Sequence, residues 1–257
     1  SSGSITTSGL SSVLGDLTLE ASGAVDLESA EAIGISITST AGDITSDVGI
    51  EAENDLTLSA EAGSIAIASA EASFGDATLT ASDQIAIRAT VGGDLSVTSP
   101  AGGIEVLGGS SGDSAFAAGD ILLSASGGIT TNGAIESGAS LPLNAESGGI
   151  IIANGLDAGT DLFAESGGII SVSGEVTAGG AGTFIAGNDV TFSDAITVGG
   201  DLALSSDSGD ISIVTNGGDF IKSTSGGITM TASSGSITTS GLSSVLGDLT
   251  LEASGAV

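Results

Sequence analysis

Carboxylates are the only abundant reactive side chains in this sequence. It holds 32 Asp and Glu against 2 basic residues, Arg88 and Lys222, and contains no His and no Cys. What remains is oxygen chemistry: paired carboxylates acting on a glycosidic bond, or oxygen ligands around a hard cation such as calcium. Thiolate and imidazole metal sites and disulfide staples are excluded by composition.

Each candidate constellation also has a plainer reading. Gly108-Gly109-Ser110-Ser111-Gly112 matches the GxSxG nucleophile pattern, but a Ser-His-Asp triad needs a His base. A Ser-Lys pair has only Lys222 to draw on, and Lys222 has no SxxK context. With 43 Gly in the chain, the match reads as a loop. A polysaccharide-active groove normally offers aromatic rings to the sugar. Here there is no Trp or Tyr, and the 6 Phe fall mostly at strand-like apolar positions such as Phe184, Phe192 and Phe220. The chain is therefore expected not to be an enzyme.

Calcium needs only oxygen. Asp recurs just ahead of apolar segments, at Asp16, Asp76, Asp94, Asp120, Asp201, Asp210 and Asp219. The preferred reading is local, because Asp favours turns and hydrogen-bonds nearby backbone. The run Gly108 to Phe116, GGSSGDSAF, approaches the calcium-roll pattern, with Asp113 in place but Ser111 where a third Gly belongs. Glu146 and Glu165 are the remaining metal candidates, as a carboxylate ladder one coil apart, with a solvated face preferred. No cofactor is required, and only non-specific Ca²⁺ or Mg²⁺ binding to the acidic surface is expected.

The elements that must position these groups are legible from two nested repeats. Residues 1 to 25, SSGSITTSGLSSVLGDLTLEASGAV, reappear unchanged at 233 to 257, an offset of 233 − 1 = 232. Residues 1–232 are read as one unit and 233–257 as the start of the next, in a protein expected to contain many. Within the unit a shorter period runs through Val25, Ile44, Ile65, Ile85, Ile104, Ile129, Ile150, Ile169, Val190, Ile211, Ile228 and Val257. Spacing is mostly about 19 to 21 residues, giving about 11 coils per unit, or 12 if the long final step contains another.

Between these signals lie segments such as Gly75-Asp76-Ala77-Thr78-Leu79 and Gly93-Asp94-Leu95-Ser96-Val97, so two main strands per coil are expected. Apolar residues alternate at period two, as in Leu56/Leu58, Ile65/Ile67 and Leu202/Leu204. No window sustains a helical period, and Gly interrupts the chain every few residues. Short strands at this pitch cannot each bury a face alone, whereas stacked coils share one interior. The prediction is an all-β, right-handed parallel β-helix, with the hand taken from the rule for parallel crossovers. At about 4.8 Å per coil, one unit rises about 55 Å and the fragment about 60 Å.

The repeat Gly-Asp-Leu-Thr-Leu-x-Ala-Ser-Gly-x-(Val/Ile) at 15 to 25, echoed at 119 to 129 and 200 to 211, resembles the repeats of filamentous-haemagglutinin-type adhesins. That resemblance covers essentially the whole chain and lies in repeat style. It implies a bacterial, extracellular or cell-surface protein with a right-handed β-helical shaft. The amino-terminal secretion domain of that family has no counterpart here, and near-identical long units favour a more regular fibre.

A formal charge of −30 argues against nucleic acid and anionic membrane as partners, both of which demand Lys/Arg clusters. No run approaches the roughly 18 apolar residues of a membrane span, and any signal peptide is expected to lie outside this sequence. Expected partners are adjacent units end to end, which cover the otherwise open coils, and other copies laterally. The leading functional expectation is a structural fibre or shaft for surface extension, adhesion or filament formation. A module recognising a surface or glycan ranks second, and a polysaccharide-active enzyme third. Ice binding through outward rows such as Thr18, Thr57 and Thr78 ranks lower, because the rows look interrupted.

Spreading the charge over about 60 Å gives roughly one charge per 2 Å, near the density of duplex DNA. Like charges about 4.8 Å apart repel by about 0.9 kcal/mol per pair in a water-like dielectric. Added Ca²⁺ or Mg²⁺ should therefore raise the melting temperature of a low-salt sample, and a titration without any shift would contradict this.

Overall fold

The structure is a computed structural model that describes residues 3–7, 14–108, 113–215, 221–244 and 246–257. The period-two segments form short strands, and every pairing between them is parallel. No helix occurs among the described residues. One strand from each coil joins a sheet of 12 strands that runs in chain order from Leu17–Ala21 to Leu249–Ala253. The other strands join a second sheet of 19. Together they make a parallel β-solenoid of about 11 turns.

Coil length varies around the period read from the sequence. Partners are 18 residues apart from Leu17 to Ile35 and from Ala77 to Leu95, but 26 apart from Leu95 to Ile121 and from Leu202 to Ile228. The two long coils absorb their extra residues outside the ladders, so the register of the smaller sheet carries no shift.

The larger sheet departs from the expected two strands per coil. In the first coils a single long strand, such as Val25–Ala32, Ile44–Ala52 or Ile65–Ala72, turns the corner through a register shift, at Leu27/Ser29 and at Ser46/Ile50. From Ile104 onward the corner becomes a true break, as between Ile129–Thr131 and Ala134–Ser137, where Asn132 and Gly133 intervene. Those coils have three flat faces.

Two positions of the sequence-derived phase are corrected. Ile150 stacks on Ile170, with Ile169 left 38% exposed in the turn. Both AESGGII segments supply adjacent Ile residues, so periodicity alone cannot choose between them. The choice falls to the neighbouring ladder, where Ile170 must also pair with Val190. Ile228 belongs to the smaller sheet, and the coil after Ile211 is marked by Ile237 instead.

Inward residues line up from coil to coil. Leu58, Leu79, Val97, Leu123 and Leu143 form one column, each fully buried. The last inward position of each strand of the smaller sheet sits at a corner and is small, as at Ala60, Ala81, Ser99, Ala125, Ala145, Ser166, Ala186, Ser206 and Ala232. Where it is Ser, the hydroxyl serves turn carbonyls that would otherwise be buried without a partner. Ser39 Oγ lies 2.7 Å from Gly42 O and 2.9 Å from Gly23 O, and Ser166 Oγ lies 2.7 Å from Gly148 O.

One coil breaks the Leu pattern by compensation. Phe184 occupies the column of Leu204, while Gly182 stands between Leu162 and Leu202 in the adjoining column. Phe184 meets Phe192 edge to face, with ring centroids 4.9 Å apart. A Cβ on Gly182 would lie 2.8 Å from Val198 Cγ1 and 3.3 Å from Leu202 Cδ1. The Gly182→Leu variant should thus lose about 1–3 kcal/mol through overpacking, and Phe184→Leu should also lose stability through a cavity. The double variant restores the Leu pattern of neighbouring coils and should be more stable than the sum of the singles by denaturant unfolding. Additive losses would disprove the compensation.

Candidate functional site

Three sets of acidic residues are distinguished by their surroundings. The first is a column at the corner that opens each strand of the smaller sheet, occupied by Asp16, Gly34, Asp55, Asp76, Asp94, Asp120, Ser140, Asp161, Ala181, Asp201, Gly227 and Asp248. Along it, among the described residues, six backbone N–H groups donate to the Asp of the preceding coil, the acceptors being Asp55, Asp76, Asp94, Asp120, Asp161 and Asp201. Asp94 N donates to Asp76 Oδ1 at 2.8 Å, Asp120 N to Asp94 Oδ1 at 2.8 Å, and Ser140 N to Asp120 Oδ1 at 2.7 Å. Asp161 and Asp201 do the same for Ala181 and Gly227. A second corner repeats the device, where Asp189 accepts from Asp210 N and Asp210 from Ser236 N.

This geometry explains the Gly-Asp dipeptide. A Cβ on Gly93 would overlap Asp76 Oδ1, and one on Gly119 would overlap Asp94 Oδ1. Asp55, Asp76, Asp94, Asp161 and Asp201 each lean over the Gly of the following coil to reach the next N–H, so the pair is an interlock between coils. The structural reading of Asp76, Asp94, Asp120, Asp201 and Asp210 agrees with these contacts, but the expected local backbone partner is replaced by an N–H of the next coil, 18 to 26 residues away. Asp219 lies outside the described residues.

The second surrounding holds Glu146 and Glu165. Both line one shallow depression, with Asn144, Ile185 and Asp207, but they do not stack on each other. The coil step here is 21, so Glu165 sits over Asn144 and under Ile185, while Glu146 lies in the turn beyond Ala145. The 19-residue offset that suggested a ladder belongs to the sequence repeat and not to the coil. Among the described residues no group of three or more acidic side chains is placed to hold a metal ion. Residues 109–112 of the GxSxG and calcium-roll-like runs lie outside the described residues, and Asp113 opens the strand Asp113–Ala117.

The third was not anticipated. Glu31, Glu51 and Glu71 occupy consecutive rungs of one outward column, followed by Thr90. The signal was present as Ala30-Glu31-Ala32, Ile50-Glu51-Ala52 and Ala70-Glu71-Ala72, evenly spaced. It was obscured because the strand bends just before it. Ser73 Oγ donates to Glu71 Oε1 at 3.2 Å.

The smaller sheet presents a different face. Thr18, Ser36, Thr57, Thr78 and Ser96 form one outward column, and Thr38, Ser59, Thr80 and Thr98 lie beside it. The hydroxyl row is thus continuous across five coils before Leu122, Pro142 and Phe163 interrupt it. Phe residues also divide: Phe184 and Phe192 are buried, whereas Phe74, Phe116 and Phe163 are exposed, and Phe220 lies outside the described residues. Arg88 and Lys222 sit on separate strands, Ile85–Val91 and Ile221–Ser223. No described helix is long and apolar enough to cross a membrane.

No protein family, curated protein or solved structure matches the chain. The corner column can be tested directly. Asp94→Ala removes the acceptor for Asp120 N–H and should cost about 0.5–1.5 kcal/mol. Asp94→Asn keeps an oxygen in place while relieving repulsion from neighbouring carboxylates, so its denaturation midpoint at low salt should equal or exceed that of the parent. Equal stability of the Ala and Asn variants would remove the interlock argument.

Proposed function

We propose that this chain is a segment of an extracellular structural fibre, a shaft built from successive 232-residue β-helical units that extends from or meshes around a cell surface. One observation carries the reading. Leu17 and Leu249 are the same residue of the sequence repeat, 249 − 17 = 232, and they stand in the same column of the 12-stranded sheet, eleven pairings apart. A repeat that closes after a whole number of coils lets each unit continue the previous one with no change of face or register.

Commensurate closure has a chemical consequence. The Glu31–Glu51–Glu71 column, the hydroxyl row and the Leu122–Pro142–Phe163 strip would each recur on a fixed side of the fibre at every unit. A length of chain that served only as a globular binding domain has no need of that phase. Lateral recognition of a surface or glycan is the second reading, supported by the outward Leu122, Pro142 and Phe163 beside Asn144 and Glu165.

A two-unit chain imaged by negative-stain electron microscopy should appear as a straight, unbranched rod. Adding a unit should lengthen it by about 53 Å, eleven steps of about 4.8 Å. Two lobes joined by a flexible link, or a compact particle, would overturn the fibre reading.

A further inference from the structure

The outer face of the smaller sheet is almost free of charge. The ten strands between its first and last, 12 − 2 = 10, run from Ile35–Ser39 to Ile228–Ala232, and each shows two outward side chains between buried ones. Glu165 is the single charged residue among those outward positions, in a chain with 32 acidic residues. The outward positions of the larger sheet instead carry Asp26, Glu31, Glu51, Glu71, Glu105 and Asp157. Near the middle of the uncharged face Leu122, Pro142 and Phe163 follow one another in one column, with Ser124, Asn144 and Glu165 in the column beside it. Leu122 is 38% and Phe163 37% exposed. Ser and Thr fill most of the remaining places.

We propose that this face pairs with the same face of a second copy of the chain, the two molecules running antiparallel about a two-fold axis level with the strand Leu141–Ala145. Charge selects the partner. Sheets pack about 10 Å apart, close to the screening length of about 8 Å in physiological salt. Two chains of formal charge −30 can approach that closely on the face that keeps carboxylates out of the contact. Corner carboxylates such as Asp94 and Asp120 lie along the rim, where salt screens them. Area is sufficient as well. Ten strands at about 4.8 Å, each about 16 Å long, cover about 800 Å², which is about what each partner contributes to a standard stable interface. Both copies have the same coil spacing, so their outward rows can interdigitate along the whole face, as in other mated sheets.

Orientation follows from the two outward columns. An axis along the strands sets each column against its own kind. Leu122 then meets Phe163 of the partner subunit, Pro142 meets its own copy, and Glu165 faces a Ser124 hydroxyl. Farther out, Thr57 meets Thr229 and Ser59 meets Thr231, hydroxyls that both donate and accept. An axis along the solenoid would instead set Phe163 against Glu165, covering the apolar strip with polar groups and burying a carboxylate without a partner. The antiparallel contact is isologous and closes as a pair.

In the fibre reading, antiparallel partners are shafts that meet from facing surfaces, and that consequence rests on the reading. Pairing itself does not: a single chain can pair even if a two-unit chain is no rod, and rods can form that never pair.

Analytical ultracentrifugation of the 257-residue chain at rising concentration should show monomer and dimer, with the dimer favoured by added NaCl. Joint Leu122→Ser and Phe163→Ser should weaken the dimer at least about tenfold without lowering the melting temperature of the dilute monomer, since both side chains face outward. Ile151→Ser, on the larger sheet and 45% exposed in the parent, should leave pairing unchanged. The chain has no cysteine, so Asn144→Cys should couple to its own copy through a short bis-maleimide. Thr57→Cys should not, because antiparallel stacking sets it eight coils, about 38 Å, from its copy. A monomer at every concentration and salt, a dimer indifferent to the Leu122 and Phe163 changes, a dimer that salt dissociates, or self-coupling of Thr57→Cys would each overturn the proposal. So would a monomer retained on insoluble cellulose through Phe163, which would assign the face to a neutral glycan.

Discussion

Parallel stacking at hydrogen-bonding distance constrains everything else in this molecule. When one coil lies in register on another, every inward side chain has a copy of its own position above and below, so the interior is a set of columns. A column tolerates Leu, Ile, Val or Met in succession because their volumes are similar, as in Leu202, Ile228 and Leu249 or Leu204, Met230 and Leu251. It tolerates Phe184 only where Gly182 and Ala164 withdraw beside it. Aliphatic composition is therefore a geometric requirement: a Trp or Tyr in a column would need its neighbours to shrink in several coils at once.

The same constraint explains how an acidic chain stays ordered. Many of the Asp residues are placed where stacking gives them a backbone partner, at corners where the carboxylate accepts an N–H from the next coil. There the cost of like charges in a column is set against a charge-assisted hydrogen bond. On the flat outer face of the first coils of the smaller sheet Ser and Thr replace acids after Glu20, whereas the larger sheet of the same coils carries the Glu31–Glu51–Glu71 column. Fold and charge pattern are consequently one design, with carboxylates acting as connectors between coils as much as solubilising groups.

Which parts of this were legible beforehand follows from the kind of signal each leaves. Strand type, parallel stacking and coil number could be read because a period of two nested in a period near twenty has no other compact solution. The Asp-before-strand pattern could be read as structural, although its partner could not: the N–H that Asp76 accepts lies 18 residues away, across a coil whose length varies. The one-coil offset read for Glu146 and Glu165 fails because a repeat in sequence is not a step in space, whereas the solvated face preferred for them accords with the exposure of both side chains. Local coil length, set by insertions in the turns, decides which residues stack, and it can move a pair two positions out of line while leaving the motif intact. Glu31, Glu51 and Glu71 show the converse, since a bend in each strand hid a regular column from an alternation rule that assumes a straight one.

Variable coil length makes the closure of the long repeat more telling. Individual steps of 18, 20, 21 and 26 residues follow no single period, so nothing in coil length alone makes a 232-residue repeat return to the same column. An insertion or deletion within a turn would leave each coil foldable, since loops accept length changes at small entropic cost. Duplication of a unit that did not span a whole number of coils would instead place corner residues such as Gly93 and Asp94 over strand interiors at the junction. Glycine would then stand where a column needs bulk, and a carboxylate would point into a dry interior with no partner. An identical sequence returning in identical register is thus what a junction between units demands, and it is a demand that an isolated solenoid domain, ending wherever its own cover lies, does not face.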